Sequence, residues 1–340
     1  MVGNERYSRQ VLVIGKDNQE KLAKAKVAIL GLGALGSAAA ELLSRSGIGH
    51  LTLIDRDIVE LSNLQRQLLY SEADIGAPKA EAATKRLKAI NSTINYDPII
   101  TDINHKNIEK VLSSHDLILD CTDNLYTRFL LNDFTKKKRV PWIYSAAIRE
   151  QGSVMVVTPK IPCFRCTIGE AAGLDTCDTA GVSNTVIVAI ASIQANEAIR
   201  YLTNNGNANT EKSNIKKSIS NDSQNNGQSL IHIDLFTLSL SKLKTKQNPN
   251  CPACKGNYEY LCGKKEMRSL SYQCSDTYQF FLEKIDLPAL ERKWKPLGAI
   301  KKGKGFLFFK SLSVFDNGRI LVKAKSMGQA KRLLSKYVGI

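Results

Sequence analysis

The chain has 340 residues, 43% hydrophobic and 24% charged, enough for one large domain with a small appendage. Its apolar runs fall far short of the roughly 20 residues that cross a bilayer, and residues 1–30 lack the apolar core and cleavage pattern of a secretory signal, so the sequence reads as cytosolic, without membrane contact. The net charge of +16 is uneven: residues 255–340 hold 18 Lys and Arg against 7 Asp and Glu, an excess suited to an acidic protein or RNA.

Residues 27–31 (VAILG) read as a buried strand, followed by a glycine-rich turn and an apolar-periodic helix through about residue 45. Residues 50–55 (HLTLID) form the next strand, and 79–90 have helical periodicity. Residues 116–120 and 140–145 are further strands, with a helix near 125–138 between them. Short apolar strands alternating with helices predict an α/β fold, a mostly parallel sheet with helices on both faces. Residues 152–158 (GSVMVVT) read as a strand running otherwise, after the parallel half, and 184–202 as a long apolar helix. Residues 203–229 are Asn, Ser, Lys and Gly with only Ile215 and Ile219 as large apolar residues, and read as a disordered insertion. Order resumes at 230–235. From residue 255 a separate small α+β unit is predicted: a helix over 277–294, strands 305–314 and 319–323 around the hairpin signal Asp316-Asn317-Gly318, and a helix over 326–337. The expected domains are 1–254 and 255–340.

Gly31-Leu32-Gly33-Ala34-Leu35-Gly36 lies between a strand and a helix, where a phosphate site needs a tight turn and close backbone approach. Asp55 ends the second strand, placed to accept hydrogen bonds from a ribose. Taken alone, these residues fit an NAD-dependent dehydrogenase. Asn63, Arg66, Lys79 and Asp123 do not belong to hydride transfer. Cations that neutralise a triphosphate and a carboxylate that holds Mg²⁺ belong to phosphoryl chemistry.

Arg6-Tyr7-Ser8-Arg9-Gln10, the glycine loop, Asp55-Arg56-Asp57, Ser62-Asn63-Leu64-Gln65-Arg66-Gln67, Pro78-Lys79 and Cys121-Thr122-Asp123-Asn124 occur in that order. Together they resemble the ThiF/MoeB/HesA family, which shares its adenylation domain with the ubiquitin-activating enzymes. The resemblance runs from about residue 5 to 254. It implies a Rossmann-like domain continuing into antiparallel strands. It implies ATP held by Gly31, Gly33, Ala34, Gly36, Asp55 and Asp57, phosphates contacted by Asn63, Arg66 and Lys79, and Mg²⁺ on Asp123. It further implies a homodimer in which Arg9 reaches the neighbouring subunit's site. The reaction implied is adenylation of the C-terminal Gly-Gly carboxylate of a ubiquitin-fold carrier, releasing pyrophosphate.

Two C-x-x-C pairs, Cys163/Cys166 and Cys251/Cys254, suit one tetrahedral, closed and therefore structural Zn²⁺ site. A redox pair and four unrelated cysteines are the alternatives. Cys177, in a loop before the long helix, is a candidate for covalent attack on the acyl-adenylate, carrying either sulfur or the carrier itself as a thioester for conjugation to protein. Cys121 reads as packing, and Cys262 and Cys274 are given no role. The histidines, His50, His105, His115 and His232, form no cluster in the sequence. Besides the dehydrogenase, a zinc-stabilised scaffold that binds RNA stands as the non-enzymatic alternative.

Overall fold

The computed structural model describes residues 3–159, 162–169, 180–204, 229–265, 277–282, 285–303, 305–316 and 318–339. Cys177, Cys274, Asn317 and positions 205–228 of the Asn- and Ser-rich stretch lie outside the described residues.

The chain divides into two compact units. The larger comprises Met1–Arg56, Ser62–Tyr70 and Lys79–Glu266; the smaller comprises Asp57–Leu61, Ser71–Pro78 and Met267–Ile340. The smaller unit thus takes two short segments from the first quarter of the chain. Residues 255–265 go with the larger unit, whose aromatic core includes Tyr260 and Leu261.

Three short helices, α1 (Gly3–Arg6), α2 (Ser8–Ile14) and α3 (Lys16–Lys24), precede the sheet of the larger unit. Its strands are β1 (Lys26–Leu30), β2 (His50–Asp55), β3 (Asn95–Ile100), β4 (Leu117–Asp120), β5 (Trp142–Ile148), β6 (Gln151–Val157), β7 (Ser229–Asp234) and β8 (Ser239–Lys244). They lie in the order β3-β2-β1-β4-β5-β6-β7-β8. The first five are mutually parallel, and β6, β7 and β8 are added antiparallel. This is the α/β architecture expected, with 152–158 turned back as predicted.

The crossovers are α4 (Ala34–Ser46), α5 (Lys79–Ile90), α6 (Ile108–Leu112) and α7 (Leu125–Lys138). Local chemistry sets their ends. Gly47, left-handed at φ 83°, closes α4 by donating to the Ser44 carbonyl at 3.2 Å. The Asn124 side chain caps α7 by accepting from the Thr127 N–H at 2.8 Å. The long apolar helix is α9 (Asn184–Asn204), preceded by α8 (Phe164–Ile168). Gly152 lets α9 press on β6, since a Cβ there would stand 2.3 Å from Ile190. No helix among the described residues is long and apolar enough to cross a membrane.

The smaller unit carries β9 (Thr277–Phe281), α10 (Leu287–Trp294), β10 (Lys301–Gly303), β11 (Phe306–Phe309), β12 (Leu312–Phe315), β13 (Arg319–Lys323) and α11 (Met327–Tyr337). Its antiparallel sheet runs β10-β11-β12-β13-β9 around Trp294, which stacks on Phe309 at 5.1 Å. Two expectations are corrected here. Residues 277–294 are not one helix: 277–281 pair with β13, and only 287–294 are helical. Residues 305–314 are two strands, because Lys310, at φ 55°, turns the chain back on itself. The segments from the first quarter are held by their own partners in this unit. Asp57 stands 3.8 Å from Arg319, Glu60 pairs with Lys323 at 3.1 Å, and Gly76 leaves no room for a side chain beneath Phe308.

Candidate active site

In the parallel half of the large sheet, chain direction reverses its spatial progress between β1 and β4, and the C-terminal ends of these two strands open a crevice. The glycine loop leaves β1 at this point. Gly31 has φ 88°, and a Cβ there would lie 2.8 Å from the Cys121 carbonyl oxygen. A Cβ on Gly36 would lie 1.9 Å from the Gly31 oxygen. The loop is therefore folded tightly against both the first turn of α4 and the end of β4. Gly33 is different: its Cβ would meet only Gln67 Nε2, at 3.8 Å. The glycine there leaves space at the mouth of the helix, where N–H groups without intrahelical acceptors face outward.

Asp55 is buried at the end of β2, and its Oδ2 accepts from the Leu32 N–H at 2.6 Å. The same carboxylate predicted to meet a ribose thus also shapes the glycine loop. Tyr70 joins a third element. Its hydroxyl donates to the Leu32 carbonyl at 2.8 Å and stands 3.4 Å from the carbonyl of Lys79, which opens α5 and is 7% exposed. Asn63 and Arg66 lie on a turn in which the Arg66 and Gln67 N–H groups donate to the Asn63 carbonyl. Ser37 Oγ of α4 accepts from the Leu68 N–H at 3.1 Å and fastens that turn to the helix. The structure therefore gathers Gly31, Gly33, Ala34, Gly36, Asp55, Asn63, Arg66 and Lys79 around one loop.

Asp123 follows β4 and is exposed. Its backbone is held from below. Asp120, fully buried, accepts from the Thr122 N–H and Oγ1 at 3.0 and 2.6 Å, and Arg128 bonds both Asp120 and the Thr122 carbonyl. Burial works most strongly against the charge on Arg128, but Asp120, Tyr144 and Asp123 together outweigh it and hold the guanidinium above its ordinary range. Gln194 of α9 donates to the Asp120 and Ile143 carbonyls at 3.0 and 3.1 Å and accepts from the Cys121 thiol. Burial pushes that thiol up, so Cys121 is a packed and unreactive group.

Arg9 stands apart. The next residue, Gln10, donates to the Ser46 carbonyl at the far end of α4, about 20 Å along the helix from Gly33. Asp57 goes with the smaller unit, beside Arg319.

The four predicted zinc ligands come together. Cys163, Cys166, Cys251 and Cys254 place their sulfurs within 4.8 Å of one another, with four of the separations between 3.5 and 3.8 Å. A tetrahedral Zn²⁺ with bonds of about 2.3 Å sets its sulfurs about 3.8 Å apart. The donor set and its spacing fit that ion. Without a cation, burial and the neighbouring sulfurs push the Cys163 thiol up, and burial raises Cys254 to about 11. Zinc analysis should give about one ion per chain. Cys254→Ser should lose it and lower the melting temperature by several degrees; unchanged stability without zinc would deny the site a structural role.

A model of the ThiF family matches residues 7–253. The chain belongs to the ThiF family. Among ThiF-family relatives, the sulfur carrier protein ThiS adenylyltransferase of Bacillus subtilis (strain 168) is 31% identical over 352 residues, spanning 98% of this chain and 99% of that one. The molybdopterin-synthase adenylyltransferase of Escherichia coli (strain K12) is 38% identical over 256 residues, spanning 73% and 95%. A crystal structure of E. coli MccB with ATP superposes with a TM-score of 0.61 at 25% identity, over 74% of this chain and 75% of that one.

Three members of this ThiF-family site escape a reading of motifs. Gln67 is buried with its Oε1 unpartnered beside the glycine loop. Its place in the Asn63–Gln67 motif was the available signal. Arg128, in the first turn of α7, and Gln194, in the middle of α9, position the peptide carrying Asp123 and have no sequence mark.

Proposed function

We propose that this chain adenylates the C-terminal Gly-Gly carboxylate of a small ubiquitin-fold sulfur carrier, using ATP and Mg²⁺. The observation that carries this reading is the crevice between β1 and β4. There a glycine-rich loop and a buried acid meet at the N-terminus of α4, with the turn carrying Asn63 and Arg66 fastened to the same helix.

In the reaction, a carboxylate oxygen of the carrier attacks the α-phosphorus of ATP. A carboxyl–phosphate bond forms, the bond to the β-phosphate oxygen breaks, and pyrophosphate leaves. Loop N–H groups and Asp55 hold the nucleotide, and Asn63, Arg66 and Lys79 meet the phosphates, where they oppose the charge gathering on the leaving group. Asp123 would hold Mg²⁺, which supplies charge neutralisation at the phosphates. No side-chain nucleophile is needed for this step.

The finer parts of the reading are a homodimer, a zinc-braced fold, a cytosolic setting and docking of an acidic carrier by the basic last quarter. The position of Arg9 supports the dimer, since within its own chain it lies at the wrong end of α4 for phosphates. In support of docking, Lys301 and Lys302 are exposed on β10. Opposed surface charge would speed encounter with an acidic carrier.

The test is ATP–pyrophosphate exchange with Mg²⁺ and each Gly-Gly-ending ubiquitin-fold protein in turn. Exchange should require one carrier. Asp123→Ala should lower it roughly 100-fold or more while leaving the fold intact. Absence of exchange with every carrier, in zinc-loaded dimer, would overturn the reading.

A further inference from the structure

Two of the four histidines, scattered in sequence, meet in the fold at the end of the sheet opposite the nucleotide crevice. His50 and Thr52 share one face of β2, and His115 reaches the same hydroxyl from the chain just before β4. They line a cavity of about 520 Å³ between the sheet and α6. His50 begins β2 and Asp55 ends it, so the cavity lies about 17 Å along the strand from the glycine loop.

Proton positions in this group follow from one fixed acceptor. The Leu112 carbonyl can only accept, so His115 Nδ1, at 3.2 Å, carries a proton. In the neutral ring, Nε2 then accepts from Thr52 Oγ1 at 2.7 Å. With its proton committed, Thr52 Oγ1 accepts from His50 Nε2 at 3.2 Å. The chain of bonds has one direction, and Thr52, 2% exposed, has no spare donor.

Protonation of His115 reverses this arrangement. Its Nε2 becomes a donor, so both imidazoles donate to Thr52 and the hydroxyl proton is turned out toward the cavity. An acceptor must then be found there. The charged groups facing the site are Lys26 from β1, His50 from β2, Asp97 from β3, Lys110 from α6, and Asp116, whose Oδ2 accepts from the Lys26 N–H at 2.8 Å. Two lysines and a charged imidazole, set against Asp97 and Asp116, leave the site net positive and suited to an anion.

We propose that this cavity binds a phosphate group, free or as a phosphomonoester, and that binding takes up a proton at His115. The oxyanion accepts from Thr52 and sits between Lys26 and Lys110. Ile99 and Val111 on the cavity wall would pack against the ester's apolar part. Burial first, and then the nearby positive groups, hold His115 below its ordinary value, which keeps the ring neutral until the anion arrives.

Titration calorimetry should be run with inorganic phosphate and with phenyl phosphate, a non-hydrolysable ATP analogue filling the nucleotide site. Sulfate, which does not titrate between pH 6 and 8, is the parallel probe. Sulfate is expected to bind about threefold to fivefold tighter at pH 6 than at pH 8, whereas for phosphate the gain is offset by its own passage toward the monoanion over this range. The ¹⁵N-histidine signal of His115 should titrate about one unit higher with the anion present. Thr52→Val and Lys110→Gln should each weaken binding about tenfold while adenylation is unchanged; Lys110 is exposed, so its variant tests the site without threatening the fold. Tighter phenyl phosphate assigns the site to an ester, and tighter inorganic phosphate to the free ion. Lack of saturable binding, an unmoved His115 signal, or unchanged binding in both variants would overturn the proposal.

Discussion

Gly36→Ala is expected to cost about 1–3 kcal/mol of stability and to lower pyrophosphate exchange roughly 100-fold. The added methyl would stand 1.9 Å from the Gly31 carbonyl oxygen and 3.3 Å from the Cys121 Cβ. Neither the turn nor β4 can retreat freely, because Gly31 donates to the Ile54 carbonyl at 2.9 Å and Cys121 to the Leu30 carbonyl at 2.9 Å. The first turn of α4 must move instead, and with it the N–H groups at the mouth of the helix. Gly33→Ala is the control. Its methyl makes an ordinary contact with Gln67 Nε2, so stability should hold within about 0.5 kcal/mol while ATP affinity falls, because the methyl fills the mouth of the helix. Urea unfolding and nucleotide titration of both variants check the pair. Equal loss of stability in the two would show that loop crowding is misassigned.

Arg128→Met is expected to destabilise the larger unit by about 3–5 kcal/mol. Asp120 is fully buried and Arg128 nearly so, with Nε 3.2 Å from the carboxylate. Removing the guanidinium leaves a carboxylate in the core with only the Thr122 hydrogen bonds, and also frees the Thr122 and Ser145 carbonyls that Arg128 serves. Asp120→Asn in the same chain should restore part of the loss, since it removes the stranded charge. A double-mutant cycle by urea unfolding measures this; a coupling near zero would mean that the pair does not act as a unit. Exchange activity should fall as well, because the peptide presenting Asp123 is built on these contacts.

The nucleotide loop is legible in the sequence because three independent signals coincide there: an apolar strand, glycines at fixed spacing, and an acid ending the next strand. The paired cysteines are legible because thiolate spacing has few other uses. β3 is a harder case. Pro98 and Asp97 disguise it, and it is tolerated only as an edge strand, paired with β2 alone. Residues 277–281 read equally well as helix, and only pairing with β13, far along the chain, decides for strand. Lys310 turns a hairpin with no glycine, asparagine or proline to announce it. The same limit applies to the site. Asp120 with Arg128, Gln194 beneath the β4 turn, and His115 against Thr52 are meetings of residues that no local pattern joins.

The segments 57–61 and 71–78 have a consequence for how the protein is made. Their partners arrive very late: Lys323 is 263 residues beyond Glu60, and Lys301, whose ammonium meets the Ile75 carbonyl, is 226 beyond Ile75. At ribosomal speeds of about 5–20 residues per second, Glu60 waits roughly 10 to 50 seconds for its lysine. Through that interval the stretch carrying Asn63 and Arg66, held to α4 through Ser37, is flanked by two segments that still lack their partners. The nascent chain can close its parallel sheet early, yet the turn carrying Asn63 and Arg66 acquires settled flanks only when the last quarter has left the ribosome. Messages cut short before that point would yield chains whose sheet is formed while segments 57–61 and 71–78 still lack their partners.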